Sequence, residues 1–190
     1  MEYNDDEIND LSYELALESD NRSYCAYYIS LLRSKYSLIF TFYYNKDYNS
    51  RIIKIDLFFI GFTLYYTVNA LFYNDSTMHN IYINKGSFDL EYQIPKIIYS
   101  SLISIVLNVL LKLLALSNDG IISFKQNKTR KGINKRGDEL KDKLNIKFVL
   151  YFILSFIFLL FFLYYLSMFG AIYRNTQLCL LKDTLISFAL

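Results

Sequence analysis

The longest uncharged run of the chain is Phe148–Tyr173, twenty-six residues between Lys147 and Arg174. At 1.5 Å per residue, a helix of this length measures about 39 Å, more than the roughly 30 Å apolar layer of a bilayer. Its eleven phenylalanines and tyrosines lie on all sides of the helix, whereas a surface helix of a soluble protein has a polar stripe. The run therefore predicts a transmembrane helix that tilts or projects from the bilayer.

Two further apolar runs are long enough to cross a bilayer. One is Leu57–Asn74, eighteen residues without a charge, and the other is Ile97–Ser117, which contains only Lys112. A lysine near a helix end can extend its ammonium to the headgroups, so this charge does not exclude a span. Pro95 lies just ahead of the second run and suits a helix start, where a missing backbone donor costs nothing.

The segments around these runs complete the predicted fold. Residues 184–190 predict the start of a truncated fourth span, and the ten uncharged residues of Tyr36–Asn45 are too few to cross and predict an interfacial helix. Residues 1–20 are an acidic arm, either a short amphipathic helix that docks on a partner or a solvated tail. We therefore predict an all-α membrane protein with three transmembrane helices, a partial fourth, and an interfacial helix before the first.

Basic residues alternate in density along the chain, and this alternation predicts the orientation in the membrane. The segment before the first span holds six Lys and Arg, the next gap two, residues 112–147 ten, and the tail after the third span two. Because basic loops stay in the cytosol, the N-terminus and the loop 118–147 are predicted to be cytosolic. The predicted parts are the arm 1–20, a juxtamembrane segment 21–54 and a transmembrane region 55–190.

Polar residues lie along one face of each of the first two predicted spans. They are Ser100, Ser104, Asn108 and Lys112 at every fourth position of the second span, and Thr63, Thr67 and Asn69 on the first. Such groups need partners in lipid, so these faces are expected to point at each other or at further helices. Two interpretations stay open, interhelical packing or the lining of an ion or solute path. Packing is favoured, because a path usually has more acidic residues within the spans.

The loop 118–147 carries a dense cluster of cations. The cluster consists of Lys125, Lys128, Arg130, Lys131, Lys135 and Arg136. Beside a membrane, such residues bind anionic lipid headgroups with about 1 kcal/mol each, and the same charges also serve to keep a loop in the cytosol. Nucleic acid is not an expected partner, because no aromatic residue is interleaved with these cations.

Side chains suited to catalysis are scarce. The chain has one histidine, His79, and two cysteines, Cys25 and Cys179, and it contains no GxSxG, P-loop or GxGxxG motif. A single histidine excludes a two-histidine metal site within one chain. We therefore expect no enzymatic activity, no catalytic residues, no metal and no bound cofactor.

Six peptides of the chain carry a resemblance to other proteins. They are "DNRSYCAYYISLL" (20–32), "FTFYYNKDYN" (40–49), "NDSTMHNIY" (74–82), "EYQIPKIIYSSLIS" (91–104), "LLKLLALS" (110–117) and "AIYRNTQLCLLKDTLISF" (171–188). In this order they resemble an uncharacterised multi-pass membrane region found at the C-terminal ends of large proteins of single-celled eukaryotes. The resemblance implies a membrane-embedded module and no particular activity. Such regions continue through a further span and follow other domains, so the resemblance also implies a fragment.

Two functional hypotheses follow from these observations. The first is a non-enzymatic multi-pass membrane protein, or a fragment of one, that acts as a membrane anchor and assembly region of a larger protein. Its expected partners are the bilayer, anionic lipid headgroups, and other membrane helices or subunits. The alternative is a channel or transporter subunit in which the polar face of the second span lines the path.

Overall fold

The computed structural model describes residues 5–9, 11–43, 47–87, 89–126 and 133–189. Every element in these ranges is helical. The helices are α1 (Asp5–Asn9), α2 (Tyr13–Ser19), α3 (Tyr24–Lys35), α4 (Ser37–Phe42), α5 (Arg51–Leu71), α6 (Asp75–Ile83), α7 (Leu90–Ala115), α8 (Asn118–Gln126), α9 (Ile133–Ile172) and α10 (Gln177–Ala189), with a 3-10 turn at Arg174–Thr176. Helices α5, α7 and α9 are long and apolar enough to cross a membrane. The predicted all-α fold of membrane type is therefore confirmed.

Helix α5 begins and ends earlier than the predicted span 57–74. It runs from Arg51 to Leu71, and a second helix, α6, begins almost at once. Asn74 separates the two helices, because its side-chain Oδ1 accepts a hydrogen bond of 3.0 Å from the backbone N–H of Thr77. An asparagine that satisfies a free N–H in this way starts a new helix. The predicted gap between the first two spans is therefore partly helical.

Helix α7 begins at Leu90, ahead of the predicted start at Ile97. The reason is Asp89, whose Oδ1 accepts a hydrogen bond of 3.3 Å from the backbone N–H of Tyr92 and so caps the helix. Pro95 consequently lies inside the helix instead of ahead of it. A proline here removes one backbone hydrogen bond, and the long helix continues through it.

Much of the predicted basic loop 118–147 is also helical. Helix α8 covers its first part, and α9 begins at Ile133 and continues without a break into the predicted third span, 148–173. The join between α7 and α8 is made by Asn49, whose Oδ1 accepts hydrogen bonds from the backbone N–H groups of Ser117, at 2.9 Å, and Asn118, at 3.1 Å. This remote side chain ends one helix and caps the next.

The predicted partial span 184–190 belongs to a longer helix. Helix α10 begins at Gln177, directly after the 3-10 turn, in which the Thr176 hydroxyl donates a hydrogen bond of 2.9 Å to the carbonyl of Tyr173. Cys179 and Leu180 are buried in its first turn. The helix is described as far as Ala189.

The chain divides into two compact units. Unit 1 comprises Met1–Phe58 with Ala115–Phe148, and unit 2 comprises Phe59–Leu114 with Val149–Leu190. Unit 1 contains a buried ion pair in which the Lys54 ammonium lies 2.6 Å from the Asp47 carboxylate, with only 4% and 3% of the two side chains exposed. Because the carboxylate compensates the charge of the ammonium, the lysine can be buried near the start of a long apolar helix.

The acidic arm docks on unit 1 itself. Its two short helices, α1 and α2, are followed by Arg22, whose guanidinium donates two hydrogen bonds of 2.8 Å to Asp20 and one of 2.9 Å to Asn9. The guanidinium lowers the pKa of Asp20 to about 2. Asn9 in turn donates a hydrogen bond of 3.0 Å to the hydroxyl of Ser30 on α3. The arm is therefore joined to α3 by its polar side chains.

Unit 2 has its own apolar core near the C-terminal ends of α5 and α9. The core consists of Ala70, Tyr73, Ile81, Phe169, Cys179 and Leu180. Tyr73 and Phe169 meet edge to face, with ring centroids 6.0 Å apart. The core thus joins α5, α6, α9 and α10, and it fixes the positions of the polar side chains that lie beside it.

Candidate functional site

A group of buried polar side chains in unit 2 links α5, α7 and α10. Its centre is Asn69 of α5, whose Oδ1 accepts a hydrogen bond from the Ser100 hydroxyl of α7. The Asn69 amide nitrogen donates hydrogen bonds to two hydroxyls of α10, Ser187 at 3.1 Å and Thr184 at 3.5 Å. We call these four residues the Asn69 cluster. All four are buried, so their hydrogen bonds are made away from solvent.

Asp183 extends this polar region beside the Asn69 cluster. The Tyr73 hydroxyl donates a hydrogen bond of 2.5 Å to its Oδ2. Only 1% of the residue is exposed, and its Oδ1 has no hydrogen-bond partner among the residues that the structure describes. Asp183 lies outside the three long apolar helices, and burial raises the pKa of its carboxyl to about 6, against the opposing effects of the Tyr73 hydrogen bond and the Lys96 charge.

Lys96 supplies a positive charge to the same region. It lies on α7, one helical turn before Ser100, and its ammonium donates hydrogen bonds to the Thr77 hydroxyl of α6 and, at 3.4 Å, to the Gln93 side chain. The ammonium also lies 4.0 Å from the centre of the Tyr92 ring, a favourable cation–π geometry. These contacts tie the start of α7 to α6.

The predicted polar line on α7 is only partly brought together. Ser104 is fully buried, and its hydroxyl has no hydrogen-bond partner among the described residues. Asn108 lies against Gly61 of α5, where a Cβ added to the glycine would come within 2.8 Å of the Asn108 Oδ1. The glycine therefore allows close approach of the two helices. Lys112 is exposed and takes no part in this contact.

The predicted threonines of α5 bond within their own helix. The Thr63 hydroxyl donates a hydrogen bond of 2.8 Å to the Phe59 carbonyl, and the Thr67 hydroxyl donates one of 2.9 Å to the Thr63 carbonyl. Threonine in an apolar helix commonly satisfies its hydroxyl in this way. Of the three polar residues predicted on this helix, Asn69 is the one that reaches other helices.

The predicted basic cluster lies in a different part of the chain. Lys125 forms a salt bridge of 2.8 Å with Glu7, which raises the pKa of the lysine, and it also donates a hydrogen bond of 3.0 Å to the Tyr48 hydroxyl. Lys135 and Arg136 are exposed on the first turns of α9. The other three cations, Lys128, Arg130 and Lys131, lie outside the described residues. Contact of these cations with lipid stays a prediction.

Helix α10 supplies buried polar residues that the sequence analysis does not include among the candidate site residues. Thr184 and Ser187 fall within the predicted partial span 184–190, and Asp183 directly precedes it. Their spacing was an available signal, because positions four apart lie on one helical face, and the apolar residues Leu181 and Leu185 fall on the opposite, exposed side. A helix with its polar residues inward predicts contact with other polar helices.

The region combines hydroxyl, amide and carboxyl groups that are all buried. Within the described residues, no group of three or more His, Cys, Asp and Glu side chains could hold a metal ion. The clearest property of the arrangement is that it cross-links three helices by hydrogen bonds. Its clearest chemical feature is one buried carboxyl, Asp183, whose Oδ1 has no hydrogen-bond partner in the part of the chain that the structure describes.

Replacing Asn69 with alanine should destabilise the protein by about 1–2 kcal/mol, because it removes the hydrogen bonds between helices and leaves the buried Ser187 hydroxyl without its partner. The matched control is Thr63→Ala, which removes a hydroxyl bonded only within its own helix and should cost under about 0.5 kcal/mol. The measurement is unfolding by sodium dodecyl sulfate in mixed micelles. Equal destabilisation by the two variants would contradict a linking role for Asn69.

Comparison with other proteins adds no assignment to this site. No match to the chain was found among models of protein families, curated proteins or solved structures. The resemblance of the six peptides therefore stays a prediction. Function has to be argued from the arrangement of the residues in the two units.

Proposed function

We propose that the chain is a multi-pass integral membrane protein that acts, without enzymatic activity, as a membrane anchor and assembly region of a larger protein. The observation that carries the proposal is the inverted arrangement of unit 2. Its buried polar residues include Thr67, Asn69, Gln93, Ser100, Ser104, Thr184 and Ser187. Its exposed residues include Leu102, Val106, Val109, Phe152, Phe156 and Leu163. Water would favour the opposite arrangement, whereas lipid favours this one.

Helix α9 supports a role in assembly. The buried side chains of α9 form one narrow stripe, made of Tyr151, Ser155, Phe162 and Phe169. Most other apolar side chains of the helix are exposed. Away from this stripe, Ser167 and Ala171 are both exposed and lie one helical turn apart. Two small residues at this spacing let the backbone of another membrane helix approach closely. Helix α9 therefore offers a surface for a further helix or subunit.

The proposed orientation has the N-terminus and the segment around α8 in the cytosol. In unit 2, the segments that follow α5 and α9 lie at the same end, since Tyr73 bonds to Asp183 and the Cys179 thiol lies 3.8 Å from the Gly86 carbonyl. In unit 1, the segment before α5 likewise bonds to the segment after α7. If the chain crosses the membrane through α5, α7 and α9, the segments after α5 and α9 lie on one side, and the segments before α5 and after α7 lie on the other. The density of basic residues indicates that the second side is the cytosol.

The orientation can be tested through the native thiols. In a Cys179→Ser variant, Cys25 is the only thiol and is exposed. In sealed vesicles with the cytosolic face inside, a membrane-impermeant maleimide should leave it unlabelled and label it once the membrane is permeabilised, because it is proposed to face the cytosol. The matched variant carries Cys25→Ser, Cys179→Ser and His79→Cys, and should be labelled in the sealed vesicles. The reverse pattern would show the opposite orientation.

The assembly role can be tested by native electrophoresis of the full chain in a mild detergent. We expect particles larger than the 22.5 kDa chain with its detergent, and we expect Ser167→Leu with Ala171→Leu to convert most of them to monomer, since bulky side chains prevent close helix approach. Val149→Leu, another exposed position of α9, is the control and should leave the particles unchanged. A monomeric parent protein would refute the assembly role.

The transport alternative is favoured by one observation, the buried carboxyl of Asp183. Acidic residues inside membrane proteins commonly mark ion paths or proton relays. Its Oδ1 has no hydrogen-bond partner among the described residues, and carboxylate oxygens are of the kind that bind a monovalent cation. Against this, Ser100 and Ser104 are fully buried by neighbouring helices, which fits packing better than a hydrated path.

Cation flux in proteoliposomes distinguishes the two roles. If Asp183 binds a transported K⁺ or Na⁺, flux should rise as the pH is raised through about 6, because the carboxyl with this raised pKa becomes charged only above that value. Asp183→Asn should abolish both the flux and its pH dependence, and Asn108→Leu should lower the flux but keep its pH dependence. Absence of flux in the parent protein would eliminate the alternative.

A further inference from the structure

A cavity of about 880 Å³ opens between α6 and the turn that follows α9, wholly within unit 2. Its walls come from two stretches of chain, 78–86 and 172–176. The volume lies within the range of sites that bind small organic molecules. The cavity is separate from the Asn69 cluster, none of whose residues lines it.

One side of the cavity is apolar and firmly held. Met78, Ile81 and Ile172 contribute aliphatic surface there, and Tyr82 and Tyr173 add aromatic rings. Ile81 belongs to the apolar core of unit 2, and Met78 and Tyr173 pack against that core. Three of these five residues are therefore held by the core, and the exposed Tyr82 and Ile172 add apolar surface for an aliphatic group.

The rim of the cavity is cationic. It carries Lys85 and Arg174, and no aspartate or glutamate is among its lining residues. Neither cation forms a salt bridge with any residue in the part of the chain that the structure describes. Two positive charges beside an apolar wall attract a ligand that combines an anionic group with an aliphatic part.

The backbone fixes the position of Lys85. Lys85 and Gly86 have φ angles of 51° and 79°, in the left-handed region. The N–H of Gly86 donates a hydrogen bond of 2.9 Å to the Ile81 carbonyl, and the Cys179 thiol of α10 lies 3.8 Å from the Gly86 carbonyl. This is the closing turn of α6, a geometry that holds its residues in place. Lys85 therefore lies in a turn that is held by contacts with both α6 and α10.

We propose that this cavity binds a phospholipid with an anionic headgroup. The headgroup phosphate would lie between Lys85 and Arg174, and the start of an acyl chain would lie on the Met78 and Ile172 wall. The position suits a lipid, because Ile172 is the last residue of a helix able to span a bilayer, and the exposed apolar surface of α9 continues from it. Free phosphate would use the cations and leave the apolar wall unoccupied. The proposal depends on membrane insertion and is independent of the assembly role.

The test uses the full chain in detergent micelles with Tyr82→Trp as its only tryptophan, since the native chain has none. Lipids with brominated acyl chains quench an indole that they contact. We expect brominated phosphatidylglycerol to quench at about twenty-five-fold lower concentration than brominated phosphatidylcholine, because its headgroup has no compensating positive charge. The double variant Lys85→Gln, Arg174→Gln should remove this preference, because each lost charge should reduce the ratio of the two quenching concentrations by about fivefold.

Two further variants and one competitor complete the experiment. Lys182→Gln removes an exposed cation of α10 that does not line the cavity and should keep the preference. Asn175→Glu adds a carboxylate to the exposed lining, leaves both cations in place and should reduce the preference even if the double variant folds poorly. The proposal would be overturned if the two lipids quenched the parent equally. It would also be overturned if Lys182→Gln lost the preference for phosphatidylglycerol to the same extent as the double variant. Displacement by millimolar inorganic phosphate would identify a phosphate site in its place.

Discussion

The side-chain amide of Asn69 is the interaction on which the packing of unit 2 depends. An amide carries two donor hydrogens and an acceptor oxygen on one small group, and Asn69 uses them to bond to α7 and α10 at the same time. In lipid no water is present to replace a bond that is lost. Any rotation of α5 that withdrew the amide would break the bonds to both helices, and it would leave the Ser100 and Thr184 hydroxyls bonded only to carbonyls of their own helices. One residue therefore fixes how three helices face one another.

The parts of the fold that could be predicted are those that depend on local pattern. The three long apolar helices follow from the length of uncharged runs, because a helix that satisfies its own backbone is the only way for such a run to exist in lipid. Asn69 and Ser100 were identified as packing candidates for a related reason, since a polar side chain in an apolar run needs a partner. The structure joins these two residues directly.

The parts that could not be predicted depend on contacts between distant segments. Asn49 ends α7 and caps α8 across sixty-eight residues of sequence, and nothing near Ser117 in the sequence indicates this partner. The start of α7, in contrast, could have been predicted from the local sequence. Asp89 is a capping signal, and it marks the start of the helix where Pro95 was expected to do so. The role of α10 was missed for a third reason. Its short apolar stretch predicts a partial span by hydrophobicity alone, although its polar residues, Asp183, Thr184 and Ser187, also bond to neighbouring segments.

Charge is distributed unevenly within unit 2, and the distribution follows from the cost of desolvation. Neutral amide and hydroxyl groups form the Asn69 cluster, where hydrogen bonds between them suffice. The charged groups Lys85, Lys96 and Arg174 lie near or beyond the ends of the long helices, where headgroups and water can stabilise an ionised group. Asp183 is buried, and the Tyr73 hydroxyl donates a hydrogen bond to it. A charge at position 69 would have needed a counterion within the packed helices. Asparagine supplies the same number of contacts without one, so the three helices can be joined in lipid without admitting water.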